Sequence, residues 1–206
     1  MNILAIETAS TVCGTALFID DCLIQIDEII QPHIHSERLP VIVNNLLSTN
    51  SVNITQLDGI AVSSGPGSYT GLRIGMSLAK GLAAAGNIPI VQIPTLLAMN
   101  ATISQKGTYW ILLHSHKNHV FAQRFYSGEP VSEIEFDVFN PGKYIPLYGF
   151  NLEILNSSLH YTPALPSSKF VGELALQFFD DWAETDLNQI IPNYITNFNI
   201  GEVKSK

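Results

Sequence analysis

Three groups of residues in this 206-residue chain have the types and spacing to do chemistry. The first is Ser63-Ser64-Gly65-Pro66-Gly67-Ser68-Tyr69-Thr70-Gly71-Leu72-Arg73, set between a strand-like and a helix-like run. Anion-binding loops are built in that position. Gly65, Gly67 and Gly71 permit positive φ or close backbone approach, and the N–H groups that open a helix carry roughly half a positive charge. Neither standard fingerprint is met. A Walker loop needs Lys followed by Ser or Thr, and the dinucleotide pattern needs a glycine where Thr70 stands. Pro66 also removes one N–H. Two readings stay open. One is a vestigial nucleotide loop with Glu7, Thr8, Ser10, Gly65, Gly67, Ser68, Tyr69, Thr70 and Gly71 around it, the other a shaped structural turn.

The second group is His114, His116 and His119, with His33 and His35 as a separate pair. In a strand His114 and His116 share a face, and His119 returns across a hairpin. No Asp, Glu or Cys accompanies them, and Lys117 repels a cation, so no metal ligand is assigned. The third is Glu7, at the end of the first strand-like run. One carboxylate beside Thr8 and Ser10 is a poor basis for phosphoryl transfer, which needs paired acids, a metal and a phosphate cradle. Ser68 and Thr70 lack a matched histidine for nucleophilic work, and no catalytic residue is assigned.

The elements that must position these groups follow from periodicity. Ile3–Thr8 and Val12–Ile19 read as strands, Asp20-Asp21 as a hairpin turn, and Leu23–Ile30 as an alternating third strand. Ser36 reads as the N-cap of a helix whose stripe is Leu39, Ile42, Val43, Leu46 and Leu47. Leu57–Ser64 is a strand, Thr70–Ala85 a helix and Ile88–Ile93 a strand, with a further helix from Thr95. This order predicts a mixed sheet flanked by helices. A second half restarts with strands at Tyr109–His114, His119–Tyr126 and Ile134–Phe139. Short helices follow near Asn151–Asn156 and Lys169–Asp181. The halves divide near Ser104–Gly107, giving lobes over residues 1–105 and 106–206. The polar tail, Pro192–Lys206, is expected to pack back on the first lobe or to be loose. Trp110 and Trp182 read as core residues.

Composition narrows the classes. Ten Lys and Arg against eighteen Asp and Glu give a formal charge of −8, which argues against a free-standing nucleic-acid binder. Charged residues are only 14% of the chain, against about 25% in ordinary globular proteins, so a protein partner is expected to cover part of the surface. The start has no basic and long apolar run of a secretory signal, and no apolar stretch approaches a membrane span. Cys13 and Cys22 have no metal or redox spacing and read as free thiols. A cytoplasmic protein is expected.

The second helix carries Gly71, Gly75, Ala79 and Ala83 at spacings of four, beside Leu72, Met76 and Leu82. Gly75 and Gly81 each cost about 1 kcal/mol of helix propensity against Ala, which asks for a packing reason. The expectation is a helix–helix interface with another chain. It takes His35, Leu39, Ile42 and Leu46 from the first helix and Leu72, Arg73, Gly75, Met76, Ala79, Leu82 and Ala83 from the second.

The stretch Gly65-Pro66-Gly67-Ser68-Tyr69-Thr70-Gly71-Leu72-Arg73-Ile74-Gly75 resembles the signature of the TsaB (YeaZ) family. Ile3-Leu4-Ala5-Ile6-Glu7-Thr8-Ala9-Ser10, His35-Ser36-Glu37-Arg38-Leu39 and Leu57-Asp58-Gly59-Ile60-Ala61-Val62 fall in the family's order. The resemblance covers residues 1 to about 100. It implies an α/β fold of the actin/Hsp70/sugar-kinase type, with two small ribonuclease-H-like lobes of which the second is divergent and short. It implies a non-catalytic subunit that pairs with the transferase subunit TsaD and is joined by the ATPase TsaE. That complex transfers threonylcarbamoyl to N6 of adenosine 37 in tRNAs reading codons that begin with A. ATP and metal are then expected on the partners, with no intrinsic cofactor, a homodimer as the form without a partner, and tRNA met only within the complex. Three segments depart from the family: Glu7-Thr8 for Asp-Thr, His114 to Phe121 for an Asp-Ala-Arg…Glu-Val-Tyr run, and Pro192-Asn193-Tyr194-Ile195-Thr196 for Pro-x-Tyr-Leu-Arg. Two alternatives remain, a small-molecule kinase or ATPase of the same superfamily and a metallopeptidase-like protein. Against the latter, Leu39 stands four residues after His35, where TsaD by resemblance has its second helical metal ligand.

Overall fold

The computed structural model describes residues 1–140 and 142–195, so Thr196 and the rest of the tail lie outside the described residues. Strands β1 (Ile3–Glu7), β2 (Val12–Ile19) and β3 (Cys22–Ile30) form the antiparallel meander. Asp20 and Asp21 both take positive φ, 50° and 64°, the backbone that matches a two-residue turn to the twist of its strands. Helix α1 (His35–Thr49) leads to β4 (Gly59–Gly65), α2 (Tyr69–Gly86), β5 (Ile90–Pro94) and α3 (Thr95–Asn100). In this sheet β3, β2, β1, β4 and β5 lie side by side in that order, and β4 is parallel to β1 and β5. That is the ribonuclease-H-like arrangement expected of the first lobe.

The second sheet has β6 (Thr108–His114) and β7 (His119–Tyr126) antiparallel at its centre. Around them are β8 (Glu129–Pro130), β9 (Glu135–Val138), β10 (Leu147–Phe150) and β11 (Thr162–Pro163). Strand β10 pairs in parallel with β6 and carries Gly149, where a Cβ would lie 2.5 Å from Leu112 O. The expected helix near Asn151 is a single 3₁₀ turn, Leu152–Ile154.

Each face of the first sheet is covered by a different part of the chain. Leu4, Ile6 and Val62 pack under α1 and α2, with Leu39, Ile42, Leu46, Met76 and Ala79. Ile3, Ala5 and Ala61 pack on the other side under α4 (Ser168–Trp182), through Val171, Leu174 and Ala175. Strand β12 (Ala183–Glu184) then joins the edge of the first sheet beside β5. The expected boundary therefore needs correction: residues 168–190, assigned to the second lobe, complete the core of the first. Ser36 is corrected too. Helix α1 begins one residue earlier, at His35, and Ile34 precedes it without a side-chain cap. His33 turns the chain at φ 63°, and His35 Nε2 reaches Val12 O at 3.0 Å, which anchors the helix start.

The seat of α4 is built by two unusual contacts. Gly172 has no room for a side chain, because a Cβ there would overlap the Phe18 ring. At its N-terminus, Glu28 of β3 accepts from Ser168 N at 2.6 Å, Ser168 Oγ at 2.7 Å and Ser167 Oγ at 2.9 Å. A carboxylate at a helix start satisfies orphan donors and opposes the helix dipole. No helix among the described residues is long and apolar enough to cross a membrane.

Gly172→Ala is expected to destabilise the fold by about 1–3 kcal/mol, the usual cost of forcing an extra methyl into a filled core. Urea denaturation checks this, and an unchanged midpoint would mean that α4 does not press on β2.

Candidate functional site

The glycine loop closes on its own fold. Ser68 N donates to Ala9 O at 2.6 Å, and Ser68 Oγ caps α2 by accepting from Gly71 N at 3.2 Å. A Cβ at Gly67 would overlap Ala9 O, one at Gly71 would overlap Thr8 O, and one at Gly75 would overlap Thr8 Oγ1. The bare flank of α2 is what lets it press on the end of β1. From the other side the strap formed by residues 190–195 crosses the loop. Ile190 is buried in the core, Asn193 N donates to Ser64 O at 2.7 Å, and a Cβ on Gly65 would lie 2.7 Å from Asn193 O. Ser68 and Gly71 have committed their N–H groups and Pro66 has none. The loop thus withholds two donors from any phosphate and lacks a third at Pro66.

Between the sheets lies a cleft of about 720 Å³, lined by Ser10, Thr11, Ser68, Tyr69 and Thr70 on one wall and by Leu113, His114 and His116 on the other. Among the described residues no Asp or Glu lines it. Glu7 and Thr8, expected beside the loop, lie beneath it, both fully buried. Glu7 Oε1 accepts from Ala9 N at 2.6 Å, while Oε2 has no partner. Burial pushes the Glu7 carboxyl up to about 8, only partly offset by the Ala9 N–H. A buried, protonated carboxyl cannot hold a metal at the cleft, so the residues present do not fit a metal–nucleotide centre.

The histidines are also engaged elsewhere. His114 Nε2 contacts Lys117 O at 2.9 Å, and His116 Nδ1 contacts Ser115 Oγ at 3.2 Å. His116 and His119 stack with centroids 5.0 Å apart and planes 14° from parallel, and both stack on Phe136. Lone pairs in two stacked rings lie in parallel planes and do not converge on one ion. Among the described residues no three His, Cys, Asp or Glu side chains form a metal group.

The expected partner interface needs the largest correction. His35, Leu39, Ile42, Leu46, Leu72, Gly75, Met76, Ala79 and Ala83 are all buried in the chain's own core. Only Arg73, exposed, and Leu82, half-buried, reach the surface. The stripe at spacings of four is the inner face of α2, and its small residues answer to Thr8. The outer face is Arg73, Ser77, Gly81, Ala84 and Ala85, with half-buried Ile74 and Leu78 at its margin; α1 contributes exposed Val41, Asn44, Asn45 and Ser48. Gly81 was the available signal, because nothing lies within 4 Å of where its Cβ would stand. Its cost in helix propensity has no packing reason among the described residues.

Residues 29–129 match the family model described as TsaD, tRNA N6-adenosine threonylcarbamoyltransferase. The chain is 37% identical over 99 residues to the tRNA threonylcarbamoyladenosine biosynthesis protein TsaB of Escherichia coli K12, covering 48% of this chain and 42% of that protein. It is 35% identical over 135 residues to the TsaB of Bacillus subtilis 168, covering 60% and 59%. The chain thus spans about half the length of the curated relatives it matches. Among solved structures, YeaZ from Pseudomonas aeruginosa superposes with a TM-score of 0.74 at 21% identity, over 94% of this chain and 99% of that one, which shows a shared fold.

The buried carboxyl sets a pH dependence. Its folded value, about 8, lies well above the ordinary carboxyl range. The folded state therefore holds the proton more tightly, and stability is lost as pH rises from the unfolded value through the folded one. The slope approaches about 1.4 kcal/mol per pH unit. Wild type is expected to lose stability between pH 5 and 8, while Glu7→Gln stays flat and is the more stable at pH 8. Parallel thermal melts across that range decide it.

Proposed function

We propose that the chain is a non-catalytic scaffold and activator of the bacterial complex that transfers threonylcarbamoyl to N6 of adenosine 37 in tRNA. Its direct partner is the transferase subunit TsaD, TsaE joins the assembly, and ATP and metal are held by those partners in the cytoplasm. The observation that carries this reading lies within residues 29–129. Those residues match the transferase family model and include α1, the glycine loop and α2, while among the described residues no carboxylate lines the cleft beside them and Glu7 is buried.

The outer face of α2 suits docking. Ser77, Gly81, Ala84 and Ala85 are small and exposed, and small residues let a second helix approach closely. Gly81, with open space around it, supplies the missing reason for a mid-helix glycine if another helix lies there. Without TsaD, the same face would pair two copies of this chain. The kinase alternative is not favoured, since Glu7 cannot reach the cleft. Nor is the metallopeptidase: Leu39 is fully buried where a second helical ligand would stand, and His35 is spent on Val12 O.

In reconstitution, TsaD and TsaE without this chain are expected to make no t6A, and adding it restores synthesis. Full activity of the other two alone would sink the reading. Gly81→Arg is expected to abolish association with TsaD and synthesis together. It should leave the chain as stable as wild type or more so, because any ordinary residue improves on glycine at an exposed helical site by up to about 1 kcal/mol. Gel filtration with TsaD and a melt of the variant alone test both halves.

A further inference from the structure

Arg73 is the exposed charged side chain on the outer stripe of α2, one turn before Ser77 and two before Gly81, with half-buried Lys80 two turns on along the same side. It is not free to wander. Its guanidinium carbon lies 3.8 Å from the centroid of the Tyr69 ring and 5.8 Å from that of Tyr194, and Nε donates to Tyr194 Oη at 3.0 Å. The two rings are themselves 5.0 Å apart. Tyr194 comes from the strap, whose position is fixed by Asn193 N on Ser64 O. Two segments distant in sequence, the start of α2 and the strap, thus hold one exposed cation.

What this arrangement lacks is an anion. Among the described residues no carboxylate pairs with Arg73, although the chain has eighteen acids and ten basic side chains. A guanidinium carries five N–H donors and no acceptor, and two phenolic oxygens leave donors over. An incoming carboxylate would take up those donors. Tyrosine and arginine are the side chains that dominate binding energy at protein interfaces, and a guanidinium already immobilised between rings loses little freedom on binding.

We propose that Arg73, clamped by Tyr69 and Tyr194, is a preformed socket for an acidic side chain on the helix that docks against the outer face of α2. The proposal rests on the docking reading above and adds the chemistry of its anchor. The socket selects a carboxylate in fork geometry, and the strap makes that selection conditional on Tyr194 being in place. The alternative anion, an RNA phosphate, fits less well with a chain of net charge −8.

The test is the affinity of the full chain for TsaD, measured by calorimetry at about 50 and about 300 mM salt. Arg73→Ala is expected to weaken binding roughly tenfold or more at the lower salt, as charged hydrogen bonds do. The deficit should shrink at the higher salt. Arg73→Lys should recover little, since an ammonium neither stacks nor forks in the same way. Tyr194→Ala should weaken binding in the same salt-dependent sense, and Arg73→Ala should melt as wild type does. If Arg73→Ala binds TsaD like wild type while Gly81→Arg does not bind, the socket is wrong and the docking face stands. If Arg73→Ala keeps TsaD affinity but lowers tRNA binding by the complex, the anion is phosphate and the proposal is overturned. If the wild-type chain does not bind TsaD, both readings fall.

Discussion

Helix α2 lies so close to the end of β1 that a side chain at position 71 or 75 would run into Thr8. Most of the surrounding architecture depends on that approach. It brings Ser68 to the turn after β1, where its N–H finds Ala9 O, and so closes the glycine loop. It directs Leu72, Met76, Ala79 and Ala83 into the core, which leaves Arg73, Ser77, Gly81, Ala84 and Ala85 outward. A helix has only one set of faces, and committing one to Thr8 determines which other is offered to a partner. The contact also leaves Thr8 Oγ1 buried without a hydrogen-bond partner, a destabilising feature tolerated where the packing around it is tight.

How much of this could be read from the residues differed by element. The meander, both long helices and their order were legible because local pattern and tertiary role agree there: strands buried on both faces are apolar throughout, and Leu39, Ile42 and Leu46 recur at helical spacing. The second face of the first sheet was not legible. Helix α4 is far in sequence from every strand it covers, and nothing local in Val171, Leu174 or Ala175 tells which sheet they meet. Strand β10 was missed because four residues that include Gly149 carry no periodicity, and its parallel pairing with β6 is a long-range choice.

The small-residue row of α2 differs again. Its spacing suggests an approach by another chain, and two of its glycines are demanded by Thr8. The same argument applied to Gly81 gives the opposite result, because its surroundings are empty. Mid-helix glycines therefore sort only once the atoms facing them are known. Those that a Cβ would collide with are explained internally, and one with open space is left over. The propensity cost is the same in both cases, so it could raise the question and not answer it.

Charge ties the loop, the cleft and the outer face together. An ASKHA-type lobe that works on phosphate must keep ionised acids at its cleft to hold a metal, and their mutual repulsion has to be relieved by that metal. Here the strand-end acid is drawn under the sheet, where burial keeps it protonated, and the other carboxylate on that face, Glu28, is spent on the start of α4. Acids that would otherwise serve chemistry serve packing. Once the cleft need not bind an anion, the loop's donors can be turned inward and the strap can lie across it, as Asn193 does. Closing the loop in this way also places Tyr194 beside Tyr69 and Arg73. The inward donors of the loop and the rigid cationic feature on the outer face are thus consequences of the same inward turn of the loop.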